Sequence, residues 1–239
     1  MKHFIYLFSL FVLLISCEFE SKPVSFKTHS IDSNYDADIS VTFDEAIGNS
    51  ELSKTINLKI KESIITSLSE DSIKTNLESV LNDFNSEYLR FKKEFHEASN
   101  PPWELHIETE KVYQSEDILT FTINTYQFKG GAHGNDKIKF LNLNAKTGAV
   151  LSHNDIVKNL KDFKILAKKH FIKSLESDND TINMEDFFFG KPFQLPENIG
   201  FSEDGLVLLY NVYEIASYNQ GYTEFVIPFN EAEIYLKVN

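Results

Sequence analysis

The sequence predicts an α+β protein, a long helical segment packed on an antiparallel meander, followed by a second small α+β unit. Three observations carry the prediction. Apolar residues step by threes and fours from about residue 50 to 98, alternate by twos from 103 to 128, and return to helical spacing from 159 to 177. These two periods separate amphipathic helices from half-buried strands, and elements that come in runs define the class. The 239 residues suffice for one large domain or two small ones sharing a core. With 42% hydrophobic and 25% charged residues, the composition excludes a disordered or collagen-like chain.

Residues 1–16 read MKHFIYLFSLFVLLIS, a short basic head followed by an apolar run from Phe4 to Ile15. The run is too short for a bilayer of about 30 Å, which takes roughly 20 residues, and it fits the apolar part of an export signal peptide. It ends in Leu14-Ile15-Ser16-Cys17, which resembles the bacterial lipobox. The resemblance implies a diacylglycerol thioether on Cys17, cleavage before it, and acylation, palmitate among the chains, of the new amino group. A thiolate is the strong nucleophile such chemistry needs. Two or three acyl chains would make a durable membrane anchor, at about 0.8 kcal/mol per buried CH₂. The alternative is that Cys17 stands by chance beside an ordinary cleavage site. Because it is the only cysteine, an internal disulfide framework and a multi-cysteine zinc site are excluded. Residues 17–34 are polar and aperiodic and read as a tether.

Folding is expected to begin near Tyr35, with a first strand in DADISVTF. Helical spacing follows, through Leu52, Ile56, Ile60, Ile64 and Leu68, and again through Leu77, Val80, Leu81, Phe84, Tyr88, Phe91 and Phe95. Ser69-Glu70-Asp71-Ser72 between them is rich in capping residues, which allows two helices or one bent helix. Asn100-Pro101-Pro102 stops the segment. Trp103, Leu105, Ile107 and Thr109 then alternate with Glu104, His106, Glu108 and Glu110, as in a sheet covered on one side. A strand is expected at 118–128 and another at 137–143, paired across the glycine-rich turn between them. Ser152-His153-Asn154-Asp155 caps a short turn, and a helix at 159–177 buries Phe163, Leu166, Ala167, Phe171 and Leu175. A polar loop at 177–183 and a short helix at 184–189 come next. Strands are expected near Phe193–Leu195, Ile199–Phe201, Leu206–Tyr213 and Thr223–Pro228.

Charge narrows the class of partner. Thirty-six acidic and 23 basic side chains give a net charge of -13, which argues against nucleic acid, whose backbone is bound by clustered Lys and Arg. A cationic partner fits better.

Two segments carry a family resemblance. Tyr126-Gln127-Phe128-Lys129-Gly130-Gly131-Ala132-His133-Gly134-Asn135 resembles the Y-x-Y-x-G-G-A-H-G stretch of PdaC-type extracytoplasmic domains, named after a peptidoglycan deacetylase. Leu208 to Tyr218, continued by Glu224 to Phe229, resembles the domain that follows it in RsiV-type lysozyme-sensing anti-sigma factors. The resemblance divides the chain into residues 35–148, PdaC-type, and 149–239, RsiV-type C-terminal. It implies a lipid-anchored extracytoplasmic binding or sensing module of the bacterial cell envelope, whose ligand is a cell-wall glycan or a cationic, lysozyme-like envelope protein. Where RsiV-type proteins have a sigma-binding segment and a membrane span, this chain has an export signal, so sigma-factor sequestration is not expected. PdaC-type deacetylases carry their metal-dependent chemistry in a separate domain. No enzymatic activity is therefore expected, the alternative being a hydrolase or deacetylase acting on peptidoglycan or another polysaccharide.

Catalytic signatures are weak. The seven histidines form no HxH or HExxH pattern, no G-x-S-x-G elbow occurs, and neither a metal site nor a cofactor is expected. The Gly130–Gly134 turn is too short for a phosphate loop. Its glycines supply positive φ, and His133 either hydrogen-bonds to the turn or faces a ligand. The Glu104, His106, Glu108 and Glu110 face reads as solvated surface. Tyr210, Tyr213, Tyr218 and Tyr222 either plug the end of the core or stack on a ligand. His133, Tyr213, Tyr218 and Tyr222 are the candidate ligand-facing residues. Phe187-Phe188-Phe189 reads as a core plug.

Overall fold

The chain enters its fold earlier than the sequence suggests. In the structure, a computed structural model that describes residues 23–31, 34–68, 76–178 and 184–238, Phe26–Ile31 form a strand (β1) inside the segment expected to be a tether. It pairs antiparallel with β2 (Asp38–Ala46), Phe26 opposite Ala46 and Ile31 opposite Val41. β1 is an edge strand with four of its six residues exposed, so it is held by its backbone ladder and carries no apolar alternation to announce it. The expected signal peptide, Cys17 and Ser69–Ser72 lie outside the described residues.

Two amphipathic helices carry the chain from β2 to a parallel partner. α1 (Glu51–Leu68) buries Ile56, Ile60 and Ile64, one per turn. α2 (Leu77–Glu94) buries Leu77, Val80, Leu81, Phe84 and Tyr88, and Asn76 caps it by accepting the Glu78 N–H at 2.9 Å. β3 (Glu104–Gln114) runs parallel to β2, as a strand reached through a helical crossover can. β4 (Ile118–Phe128) and β5 (Asn135–Asn144) complete an antiparallel meander, paired across the Gly130–Gly134 turn as the sequence predicts. The sheet is thus five-stranded and mixed, in the order β1-β2-β3-β4-β5, and its inner face packs on both helices.

The second unit begins with a short α3 (His153–Ile156), closed by the Asp155 carboxylate accepting the Ser152 N–H at 2.8 Å and hydroxyl at 2.6 Å. α4 (Leu160–Asp178) buries Phe163, Ala167 and Phe171, with Leu166 and Leu175 half-buried. It packs on a three-stranded antiparallel sheet of β6 (Asn198–Ser202), β7 (Gly205–Tyr210) and β8 (Thr223–Pro228), followed by a short α5 (Phe229–Ala232). Phe193–Leu195 is not a strand. Its chain is fixed by the buried Phe193 ring and by the Tyr210 hydroxyl, which donates to the Gln194 carbonyl at 2.5 Å. β7 stops at Tyr210 instead of Tyr213 because Asn211 and Glu214 close a turn. Glu214 accepts the Asn211 N–H at 2.8 Å and its own N–H donates to the Asn211 carbonyl at 3.1 Å. Of the expected phenylalanine plug, Phe187 and Phe188 are buried and Phe189 is exposed.

The units meet along β5. An open sheet edge exposes unpaired N–H and C=O groups, and two carboxamides pair with them here. Asn211 accepts the Ile138 N–H at 2.8 Å and donates to its carbonyl at 2.9 Å. Asn198 accepts the Phe140 N–H at 2.8 Å and donates to the Ile138 carbonyl at 2.9 Å. Each side chain stands in for a peptide group of a missing sixth strand. Further along, Asn142 donates to the Ile199 carbonyl at 2.7 Å and Ile118 enters the second core. The outer face of the sheet, expected to be solvated, is therefore covered at one end by the second unit and open at the other.

Candidate functional site

The open end of that outer face is a cleft of about 620 Å³. Strand register builds its floor. Ser40 on β2 lies opposite His106 on β3, His106 opposite Tyr126 on β4, and Tyr126 opposite Asp136 on β5. The next row is Thr42, Glu108, Asn124 and Ile138. Because side chains two apart in a strand share a face, these residues form a polar platform four strands wide. The second unit supplies one wall, with Tyr222 lining the cleft.

Both sequence motifs converge at this wall. The His133 ring stacks on Tyr218, centroids 4.3 Å apart and planes at 20°, while its Nδ1 lies 2.7 Å from the Gly134 carbonyl. Tyr213 packs against the other side of this pair at 5.6 Å from Tyr218. Gly134 is where the Tyr126 ring lies down, for a β-carbon there would sit inside that ring. The motif glycine thus admits a tyrosine to the floor, and the motif histidine clamps the second unit's loop beside it. Tyr213 holds a φ of 65°, left-handed backbone that costs a non-glycine residue about 1–2 kcal/mol.

Electrostatics favour hydrogen bonding over proton transfer. Burial first, then Glu104, Asp136 and Tyr218, holds the Tyr126 phenol above its usual range. Burial, Asp136 and Tyr218 push Tyr222 up to about 12. Both phenols therefore remain protonated donors at neutral pH. The His106 Nε2 is buried and makes no hydrogen bond, and the Asp38 carboxylate lies 3.7 Å from it. Unsatisfied buried nitrogens are uncommon, and this one belongs to a residue of the cleft floor.

The structure sorts the sequence candidates. His133, Tyr213, Tyr218 and Tyr222 come together, with Tyr213 and Tyr222 exposed and Tyr218 half-buried. Tyr210 belongs to the core. His106 and Glu108, read as solvated surface, lie on the cleft floor, as do Ser40, Thr42, Asn124 and Asp136, which sequence reasoning missed. Only the alternation around His106 hinted at them, since cross-strand register is not written in any one segment. No metal donor set assembles: among the described residues, no three His, Cys, Asp or Glu side chains are grouped to hold an ion. The His–carboxylate contacts are pairs, His106 with Asp38 and the buried His170 with Glu231 at 3.2 Å. The described residues thus offer no grouped donor set for the metal of a deacetylase. Among the described residues no helix is long and apolar enough to cross a membrane.

Fold and site together define a two-unit α+β protein with a polar, tyrosine-walled cleft on its outer sheet face. Residues 29–136 match the family described as Deacetylase PdaC, and residues 146–230 match DUF3298, a family of unknown function. A match to a PdaC-type domain is thus followed along the chain by a match to a DUF3298 domain. Among solved structures, it is similar to a DUF3298 family member from Bacteroides fragilis, with 20% identity, a TM-score of 0.68, and 90% of this chain and 94% of that one covered. A DUF3298 family protein from Pseudomonas aeruginosa gives 17% identity, a TM-score of 0.62, and coverage of 90% and 95%. At these identities the likeness concerns the fold. No curated protein matches the chain in sequence.

Proposed function

We propose that this chain is an extracytoplasmic binding module of the cell envelope, lipid-anchored through Cys17, and that its cleft takes a cell-wall glycan. The observation that carries the reading is the pairing of a polar floor with a tyrosine wall. Sugars present an apolar ring face and a rim of hydroxyls, and a concave site lined by aromatic rings with a few convergent polar groups is the matching surface. Tyr222 supplies the aromatic wall, while His106, Asn124, Asp136 and the Tyr126 hydroxyl supply the polar contacts. The PdaC-type domain in the chain accords with a polysaccharide of the envelope. A basic envelope protein is the second reading, favoured by Glu108 and Asp136 in the same cleft and by the net charge of -13.

The test is calorimetric titration of the full chain with soluble peptidoglycan glycan fragments. Tyr222→Ala combined with Asn124→Ala is expected to weaken binding by about tenfold or more, about 1.4 kcal/mol, at an unchanged melting temperature. Release of acetate or cleavage of the glycan by the purified chain would replace this reading with an enzymatic one. Cys17→Ala is expected to abolish fatty-acid labelling and free the protein from membranes. A variant that still labels and pellets refutes the anchor.

A further inference from the structure

We infer that the outer face of α4 docks on the anionic headgroups of the bilayer that holds the chain's amino terminus. The charge of this acidic protein reverses locally there. Between residues 158 and 175 there are six lysines and one aspartate, in a chain with 36 acidic and 23 basic side chains. Ile165 and Ile172, two turns apart, stand between Lys168, Lys169 and Lys173 in a shallow groove of about 510 Å³. Ile165 is 67% exposed, as is Ile234, whose carbonyl accepts the Lys158 ammonium at 3.2 Å. The buried side of the helix is already complete with Phe163, Ala167 and Phe171, so these isoleucines serve nothing inside the fold.

Lysines flanking a stripe of exposed apolar residues are the pattern of a helix lying in a membrane interface. Basic residues near a bilayer surface are drawn to anionic lipid. A soluble anionic polymer would use the lysines and leave the isoleucines in water, whereas a bilayer takes up both.

Geometry brings the face within reach. The chain is bound to the fold from Val24, whose carbonyl accepts the Gln114 side chain at 3.3 Å. Six residues lie between Cys17 and Val24, so the two are at most about 25 Å apart along an extended chain. A short run of contacts joins the entry point to α4. The Tyr113 ring, beside Gln114, packs 6.1 Å from Phe229 at the start of α5, and Glu231 of α5 meets Lys169 at 3.6 Å. An amino terminus held in a bilayer therefore keeps this part of the domain near its surface.

The test uses the full chain with Cys17→Ser, so that one introduced thiol takes the label, and holds it on vesicles by an amino-terminal histidine tag bound to nickel-chelating lipid. An environment-sensitive fluorophore is placed at Ile165→Cys, and at the exposed Leu89→Cys of α2 as a control. On vesicles containing phosphatidylglycerol, the label at 165 is expected to shift to the blue and to lose quenching by an aqueous quencher, while the label at 89 does neither. Lys168→Glu with Lys169→Glu should abolish the shift. Equal behaviour of the two labels overturns the proposal, as does an equal shift on pure phosphatidylcholine. A shift produced by soluble polyphosphate alone would assign the face to an anionic polymer. One that grows with protein density on the vesicle would assign it to a second copy of the chain.

Discussion

The two units solve the same packing problem with different side chains. Under the five-stranded sheet the core is largely aliphatic, with Ile56, Ile60, Ile64, Leu81, Leu105, Ile107, Leu119 and Ile123 at its centre. In the second unit aromatic rings take a larger share. Phe171 of α4 has the rings of Phe187, Phe188, Phe193, Tyr210 and Phe225 within 5.3 to 5.9 Å. The difference follows from size. Two 18-residue helices over strands of 9–11 residues offer broad faces that branched aliphatics can tile. One helix over three strands of five or six residues cannot, so each side chain must bury more, and aromatic side chains bury about 150–250 Å² apiece. A small unit thus concentrates its stability in few residues.

The sharpest test of that contrast is a pair of truncations. Phe171→Ala is expected to cost about 3–5 kcal/mol, and Ile60→Val in the first core about 0.5–1.5 kcal/mol, both read by denaturant unfolding. If the two costs are alike, the second core is not centred on Phe171.

The seam between the units ranks next. Asn211→Ala removes the carboxamide that pairs with both polar groups of Ile138, leaving a part-buried N–H unsatisfied at about 1–3 kcal/mol. The loss should appear as faster amide exchange at Ile138 before the rest of β5, and uniform exchange along β5 would show that the side chain does not seal the edge.

Gly131, at φ 106° with open space around it, tests the first unit's turn by backbone strain alone. Gly131→Val should cost about 1–3 kcal/mol, and a neutral result would mean the turn relaxes.

The smallest effect is a pH dependence in the second unit. Hydrogen bonds from the Ser152 hydroxyl and N–H hold the Asp155 carboxyl below its usual range. A carboxylate depressed in the folded state stabilises above its unfolded pKa of about 3.9, and this contribution is lost as pH falls through the folded value. Asp155→Asn should therefore flatten the stability curve slightly below about pH 4. Identical curves for the variant and the parent would remove Asp155 from the account.

Where the sequence reading succeeded, a single segment carried its own evidence. The stripe Ile56, Ile60, Ile64 and the alternation from Trp103 to Thr109 each bury one face, and each formed the expected element. Where it failed, the deciding partner was remote. β1 has no pattern of its own and exists through its ladder with β2. Phe193–Leu195 looks like a strand but is held by a buried ring and one tyrosine hydroxyl. The motif residues His133 and Tyr218 were legible as turn residues, yet their stacking joins positions 85 residues apart.

The sequence alone determined the α+β class, the period and hence the identity of most helices and strands, and the strong acidity, because these depend on local side-chain order and composition. Only the tertiary structure decided that Ser40, His106, Tyr126 and Asp136 share one row. Register across four strands follows from how the sheet docks on its helices and from which half of its outer face the second unit leaves open, and no local pattern encodes either.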